Sequence, residues 1–218
     1  MCGRFVLFTE SLLAEVGNLP GVGEVHAPQG IPGPRFNIAP TQVVPAVRLR
    51  EELAQVDPAR WGLLPGWKKD ESGPPLFNAR AETVRSKPSF RAAFKAQRCL
   101  IPMNGYYEWH DDGAGKAPYY VTRGEGLLWA AGLWEEGLER LSATIVTTAA
   151  TPEMEWLHDR LPRFLGEEEV RTWATGSPEE AASLLAPTGL EDFSARKADK
   201  AVGNVSNDYP ALIGTFGV

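Results

Sequence analysis

Cys2 directly follows the initiator Met and carries the most distinctive chemistry in the chain. Its side chain is small enough for Met1 to be removed, which leaves an α-amine and a thiol on one residue, a 1,2-aminothiol. Such an amine titrates near ~7.7–8 and an ordinary thiol near ~8.5, so both keep a nucleophilic fraction at neutral pH. An aldehyde condenses with the amine to an imine, and the thiol then closes a five-membered thiazolidine. That closure is intramolecular and gains the advantage of a pre-oriented pair. Taken alone, a Cys at this position also reads as an incidental terminal residue.

Other chemistries lack their usual signatures. Three His (His26, His110, His158) and two Cys (Cys2, Cys99) show no metal-ligand spacing, so no metal is expected. GAGK at 113–116 lacks the leading Gly and trailing Ser or Thr of a phosphate loop, and neither GxGxxG nor GxSxG occurs. No organic cofactor is expected. The net charge of −6 opposes indiscriminate polyanion binding. Between Arg80 and Arg98, however, stand Arg80, Arg85, Lys87, Arg91, Lys95 and Arg98 with Glu82 as the only acid, whereas acids such as Glu167, Glu168 and Glu169 dominate between Glu135 and Asp192. Screening confines each charge to about 8 Å, so a local basic face can attract phosphates; the alternative is a solvated helix face.

The elements around these residues are mostly strands. Val43–Leu49, Leu53–Val56, Cys99–Met103, Tyr106–Trp109, Tyr119–Thr122, Leu127–Leu133 and Thr144–Thr148 have strand character, with Pro45 confining the first to an edge or bulge. DDGAG at 111–115 reads as a hairpin loop. Helices are expected after Thr9 as N-cap, over Ser86–Lys95 with Pro88 in the first turn, and after the capping box that Ser177 and Glu180 make. Residues 17–34, rich in Gly and Pro, read as a long loop. The expected fold is α+β: one domain over 1–218 with a curved, largely antiparallel, barrel-like sheet and peripheral helices.

MCGRF, RFNIAP (35–40), WGLLPGW (61–67), FNARAET (77–83), NGYYEW (104–109), AGLWE (131–135), TIVTTAA (144–150), HDRLP (158–162) and AVGNV (201–205) occur in an order that runs nearly end to end. In these blocks the chain resembles the SRAP (SOS-response-associated peptidase) family. The resemblance implies covalent capture of abasic sites in single-stranded DNA through the N-terminal Cys, with lyase potential through the imine. It also makes Cys2, Asn78, Glu108 and His158 the catalytic set. The Asn78 amide can donate and accept hydrogen bonds, to hold the sugar or the thiazolidine; alone, it reads as a turn residue. Strand alternation puts Glu108 on one face with Tyr106, and Tyr107 and Trp109 on the other. A carboxyl among aromatics is expected to be partly desolvated, suited to protonating the ring oxygen of an abasic sugar and exposing its aldehyde. His158 can shuttle protons or bind a hydroxyl or phosphate. Its neighbour Asp159 is an orienter or a turn former.

DNA contacts are expected from Arg4, Arg80 and Arg160, whose planar guanidinium groups suit phosphates. Asn37, Pro40, Trp67 and Lys68 fall in blocks that border the DNA groove in the family, and Trp67 could stack on a base or sit in the core. Two departures stand out. Trp67 is followed by Lys68 where bacterial relatives often have a second Trp, and Ser89 or Phe90 stands where some carry a junction-wedging Met. The expected partner is single-stranded DNA with abasic sites, bound by a monomer. No signal peptide and no stretch of ~20 apolar residues is evident, so a cytoplasmic setting without membrane contact is expected. The family's name suggests a second possibility, a cysteine peptidase with Cys2 as thiolate, His158 as base and Glu108 assisting.

Overall fold

The computed structural model of the chain describes residues 2–111, 113, 115–124 and 126–214. In chain order its strands are β1 (Arg4–Leu7), β2 (Glu24–His26), β3 (Arg35–Ile38), β4 (Val43–Arg50), β5 (Leu53–Trp61), β6 (Asn78–Arg80), β7 (Arg98–Met103), β8 (Gly105–Asp111), β9 (Lys116–Arg123), β10 (Leu128–Gly137), β11 (Arg140–Ala149), β12 (Arg160–Pro162) and β13 (Phe193–Lys197). The helices are α1 (Leu12–Gly17), α2 (Arg91–Ala96), α3 (Glu167–Thr175) and α4 (Pro178–Ser183).

Two sheets result. One has the order β13-β9-β8-β1-β3, all antiparallel. The other runs β12-β11-β10-β7-β4-β5-β2, with β6 joined to β11. A parallel pairing of β11 with β5, Ser142 opposite Arg60 and Ala143 opposite Trp61, closes β11-β10-β7-β4-β5 into a ring. The expected barrel-like sheet is thus present as one of two. β7 is buried throughout, because α3 covers it from outside: the Trp173 indole N–H donates to the Cys99 carbonyl at 3.0 Å, and Trp173 meets Phe94 of α2 at 6.0 Å.

Pro45 does not sit on an edge strand. β4 lies between β7 and β5, and Pro45 faces Pro58 across the β4–β5 pair. Two residues without N–H groups can face each other only at a pair that exchanges no backbone bonds, so the β4–β5 ladder loses no bond at either proline. β5 therefore continues past Pro58 to Trp61, well beyond Val56.

The helix expected over Ser86–Lys95 forms only from Arg91, and residues 81–90 are successive turns and bends. α1 starts at Leu12, because the Thr9 hydroxyl accepts from the Ser11 amide at 3.2 Å and so caps a turn before the helix. Ser177 and Glu180 do form the reciprocal capping box. Asp111 pairs with Lys116 at the end of the expected hairpin, whose Asp112 and Ala114 lie outside the described residues. The 17–34 loop contains β2, paired parallel to β5.

Arg98 leaves the basic series. It is buried and donates to the carbonyls of Trp173, Phe94, Lys95 and Gly176, which satisfies the C-terminal ends of α2 and α3. Arg85, Lys87, Arg91 and Lys95 remain exposed.

Gly105 opens β8, the strand that carries Glu108. A Cβ there would strike the Val121 carbonyl oxygen and lie 2.6 Å from the Tyr120 ring. Gly105→Ala is expected to cost about 1–3 kcal/mol through overpacking, seen as a lower urea midpoint with an unchanged slope.

Candidate active site

Short strands bring the candidate residues together. β1 pairs with β8 so that Arg4 faces Tyr107 and Phe5 faces Tyr106, which sets Cys2 at the end of β8 nearest Glu108. Cys2 is fully buried. Burial pushes its thiol strongly upward, and the nearby Glu108 carboxylate pushes it further. The thiol is therefore held as S–H at neutral pH. Its sulfur lies 3.9 Å from the Arg4 carbonyl.

Asn78 fixes the other side of Cys2. β6 runs parallel to β11 with Asn78 opposite Ile145, and the Asn78 Nδ2 donates to the Cys2 carbonyl at 2.7 Å. Its Oδ1 is buried and accepts no hydrogen bond from the described residues. An acceptor is thus presented beside Cys2.

Alternation along β8 works as read from the sequence. Tyr106 joins the main core with Cys2, while Tyr107 and Trp109 pack in a second cluster with Val6 and Tyr120. Glu108 shares the Tyr106 face and is 5% exposed. Burial holds the Tyr106 phenol well above its ordinary range, and the neighbouring Cys2 and Glu108 add to this, so it stays a neutral hydroxyl.

Aromatic contacts lead from the strand that carries Glu108 to the segment that carries His158. Glu108 faces Tyr119 across β8–β9, Tyr119 meets Trp156 at 5.3 Å, and His158 is two residues beyond Trp156. The His158 Nδ1 stands 3.0 Å from the Arg160 amide nitrogen and 2.7 Å from an Asp159 carboxylate oxygen. A neutral ring protonated on Nε2 accepts the amide N–H, whereas a protonated ring donates Nδ1–H to Asp159. Either state has a partner, and Asp159 supplies one of them.

The expected DNA-contacting residues fall into two groups. Arg4 and Asn37 are bound internally. The Arg4 guanidinium donates to Asn37 Oδ1 at 3.0 Å and to the Val202 carbonyl at 2.6 Å, and it lies over the Trp109 ring. Asn37 is fully buried, with its amide nitrogen bonded to the carbonyls of Val202, Asn204 and Asn207. Together they hold the AVGNV segment against β1 and β3. Arg160 is also engaged: it grips Glu82 through two bonds of 2.9 and 3.0 Å and donates to the Thr147 carbonyl at 2.8 Å. Arg160 holds the Glu82 carboxyl below the usual carboxylate range. Glu82 was not singled out by sequence reasoning, although its place in FNARAET, two residues after Arg80, was the available signal.

Open to solvent are Arg80 and Trp67, with Pro40 and Lys68 half-buried. Trp67 is 64% exposed, at a turn fixed by the Gly66 amide donating to Glu135 at 2.7 Å. It is a surface aromatic and not a core one. Among the described residues no three His, Cys, Asp or Glu side chains gather as for a metal ion, and no helix is long and apolar enough to cross a membrane.

Comparison with known proteins decides the lineage. Residues 1–205 match the family model described as SOS response associated peptidase (SRAP). The chain belongs to the SRAP family. Among SRAP relatives, the abasic site processing protein YoqW of Bacillus subtilis is 36% identical, over 98% of this chain and 99% of its own. The abasic site processing protein YedK of Escherichia coli is 33% identical, over 98% and 99% respectively. The SRAP fold is also seen in a crystal structure of a Bacteroides thetaiotaomicron protein, with a TM-score of 0.80, 25% identity, and coverage of 98% of this chain and 99% of that one.

Proposed function

We propose that this protein processes abasic sites in single-stranded DNA by forming a thiazolidine crosslink through Cys2 once Met1 has been removed. The names of the SRAP relatives support the substrate class. The observation that carries the chemistry is the placement of Cys2: buried, its carbonyl held by Asn78 and its thiol beside Glu108.

Each step follows from these groups. Glu108 as the acid protonates the ring oxygen of the abasic sugar, the C1–O bond to it breaks, and the C1 hydroxyl releases its proton to water, which gives the aldehyde and leaves Glu108 as a carboxylate. The Cys2 amine adds to the carbonyl carbon, and loss of one water gives the imine. The thiol then adds to the imine carbon: the C–S bond forms, the imine π pair goes to nitrogen, and the thiol proton passes by way of Glu108 to that nitrogen. Because burial keeps the thiol protonated, a proton acceptor at this position is required. The Asn78 Oδ1 accepts a hydroxyl of the opened sugar, and His158 serves a second hydroxyl or a phosphate. An imine that persists before closure permits strand cleavage. Arg80, Lys68 and Trp67 contact the strand directly, while Arg4, Asn37, Pro40 and Arg160 shape the groove that it follows.

A cysteine peptidase has less support. It needs a thiolate stabilised by an imidazolium, whereas burial and Glu108 both disfavour the thiolate here and the His158 ring contacts Asp159 and Arg160. The test is denaturing electrophoresis of protein incubated with a single-stranded abasic oligonucleotide. A slow band that survives heating is expected, absent with a tetrahydrofuran analogue that has no latent aldehyde; no such band with either oligonucleotide refutes the proposal. Asn78→Ala is expected to slow the band's appearance about tenfold, the worth of one hydrogen bond of ~1.4 kcal/mol.

A further inference from the structure

Beyond Glu108 the same face of β8 carries a feature that the crosslinking steps do not use. Glu108 faces Tyr119 and His110 faces Ala117 across the β8–β9 ladder, so Tyr106, Glu108 and His110 form one row with Tyr119 beside it. Exposure grows along the row: Tyr106 and Glu108 are buried, while Tyr119 and His110 are half-buried. Trp156 stands against the outer end. It meets His110 at 5.3 Å and 72° and Tyr119 at 5.3 Å and 83°, and these two meet each other at 6.2 Å and 82°. Two edge-to-face contacts hold the indole and a third braces the two rings that make them, yet 47% of Trp156 remains exposed. Trp67 and Trp156 are the exposed tryptophans among the described residues.

We infer that Trp156, held by Tyr119 and His110, is a stacking platform for the unpaired base of a nucleotide next to the abasic one. The inference rests on the function proposed above. His110 lies two residues beyond Glu108, a step of about 7 Å along the strand, and His158 follows Trp156 by two residues, so the platform adjoins the catalytic groups on two sides. A nucleotide beside an abasic site has lost a stacking neighbour within its own strand, and an aromatic face replaces it whatever the base. The chemistry around Trp156 favours a base over a phosphate: Glu153, Glu155 and Asp159 are exposed in the same segment, and no Lys or Arg lies between Arg140 and Arg160. Trp156 thus serves base stacking, and backbone charge is met elsewhere.

The test uses a single-stranded oligonucleotide with one central tetrahydrofuran, which cannot crosslink, so that binding is measured apart from chemistry. Trp156→Ala is expected to weaken binding by about 5- to 150-fold, the range for loss of one base–aromatic stack, with Trp156→Phe retaining most of the affinity. The salt slope should not change, whereas a lost phosphate contact would reduce it by ~0.7. Replacing the flanking nucleotide on one side by a second tetrahydrofuran should weaken the unmutated protein equally and leave Trp156→Ala unaffected; on the other side both proteins should lose alike. Unchanged affinity in Trp156→Ala, a changed slope, or a loss independent of both flanking bases overturns the platform, the last pointing to a protein-binding or purely structural surface. If the unmutated protein crosslinks the aldehyde-bearing strand while any of these results holds, only the platform fails. Absence of crosslinking by the unmutated protein refutes the proposed function instead.

Discussion

Cys2→Ser is expected to abolish the heat-stable adduct, lowering its rate of formation more than about a thousandfold, because ring closure by a pre-oriented thiol is what makes the bond durable. The variant keeps a terminal amine after Met1 removal and still forms an imine, so borohydride should trap a complex that is otherwise lost on heating. Affinity for a tetrahydrofuran oligonucleotide should change little, since Cys2 is buried and offers no phosphate contact. A form that retains Met1 should behave differently from the serine variant. With its α-nitrogen in a peptide bond, Cys2 can form neither imine nor thiazolidine, and borohydride should trap nothing at that residue. Peptide mapping of the borohydride-trapped complex, which locates the link, separates the two cases.

Glu108→Gln carries the second large effect. Its loss removes both the acid that opens the sugar and the base that receives the thiol proton, so the rate at pH 7 is expected to fall about 10²–10⁴-fold. The pH profile supplies the sharper test. In the unmutated protein, burial first and the Glu108 carboxylate second raise the Cys2 thiol above its ordinary range, so the rate should show the amine's inflection near ~7.7–8 and no second one from a free thiol near ~8.5. In the variant the carboxylate's upward push is gone while burial remains. The thiolate then becomes accessible at lower pH than before, and the variant's rate should climb steadily with pH as hydroxide replaces the missing base. Parallel profiles for the two proteins would show that Glu108 does not handle the thiol proton.

The sequence made some of this legible and hid other parts for physical reasons. Long strands such as β10 and β11 were visible because runs of apolar and β-branched residues are long enough to distinguish from loop. β8 disclosed its two faces through alternation, and the separation of Glu108 from Trp109 followed. The strands that carry Arg4, Asn37, Asn78 and Arg160 were not foreseen, because three or four residues contain too little pattern to show a period; β1, β3, β6 and β12 are defined by their partners. Individual residue types were recognisable there, but not their settings. Nothing local to Arg4, Asn37 or Arg160 indicates that each is bonded within the protein, since Val202, Asn207 and Glu82 are distant in the chain. Arg98 shows the same limit: spacing placed it in a basic series, and tertiary packing made it a cap for two helices. Trp156, His110 and Tyr119 meet only because the turn after β11 folds back onto β8 and β9.

The most direct measurement is the intact mass of the protein, purified from cells, before and after incubation with a single-stranded abasic oligonucleotide, followed by peptide mapping. The account predicts a starting mass without Met1 and a one-to-one product equal to both masses less one water, with the link at Cys2. A starting mass that retains Met1, an unshifted mass after incubation, or a link at a lysine would contradict it.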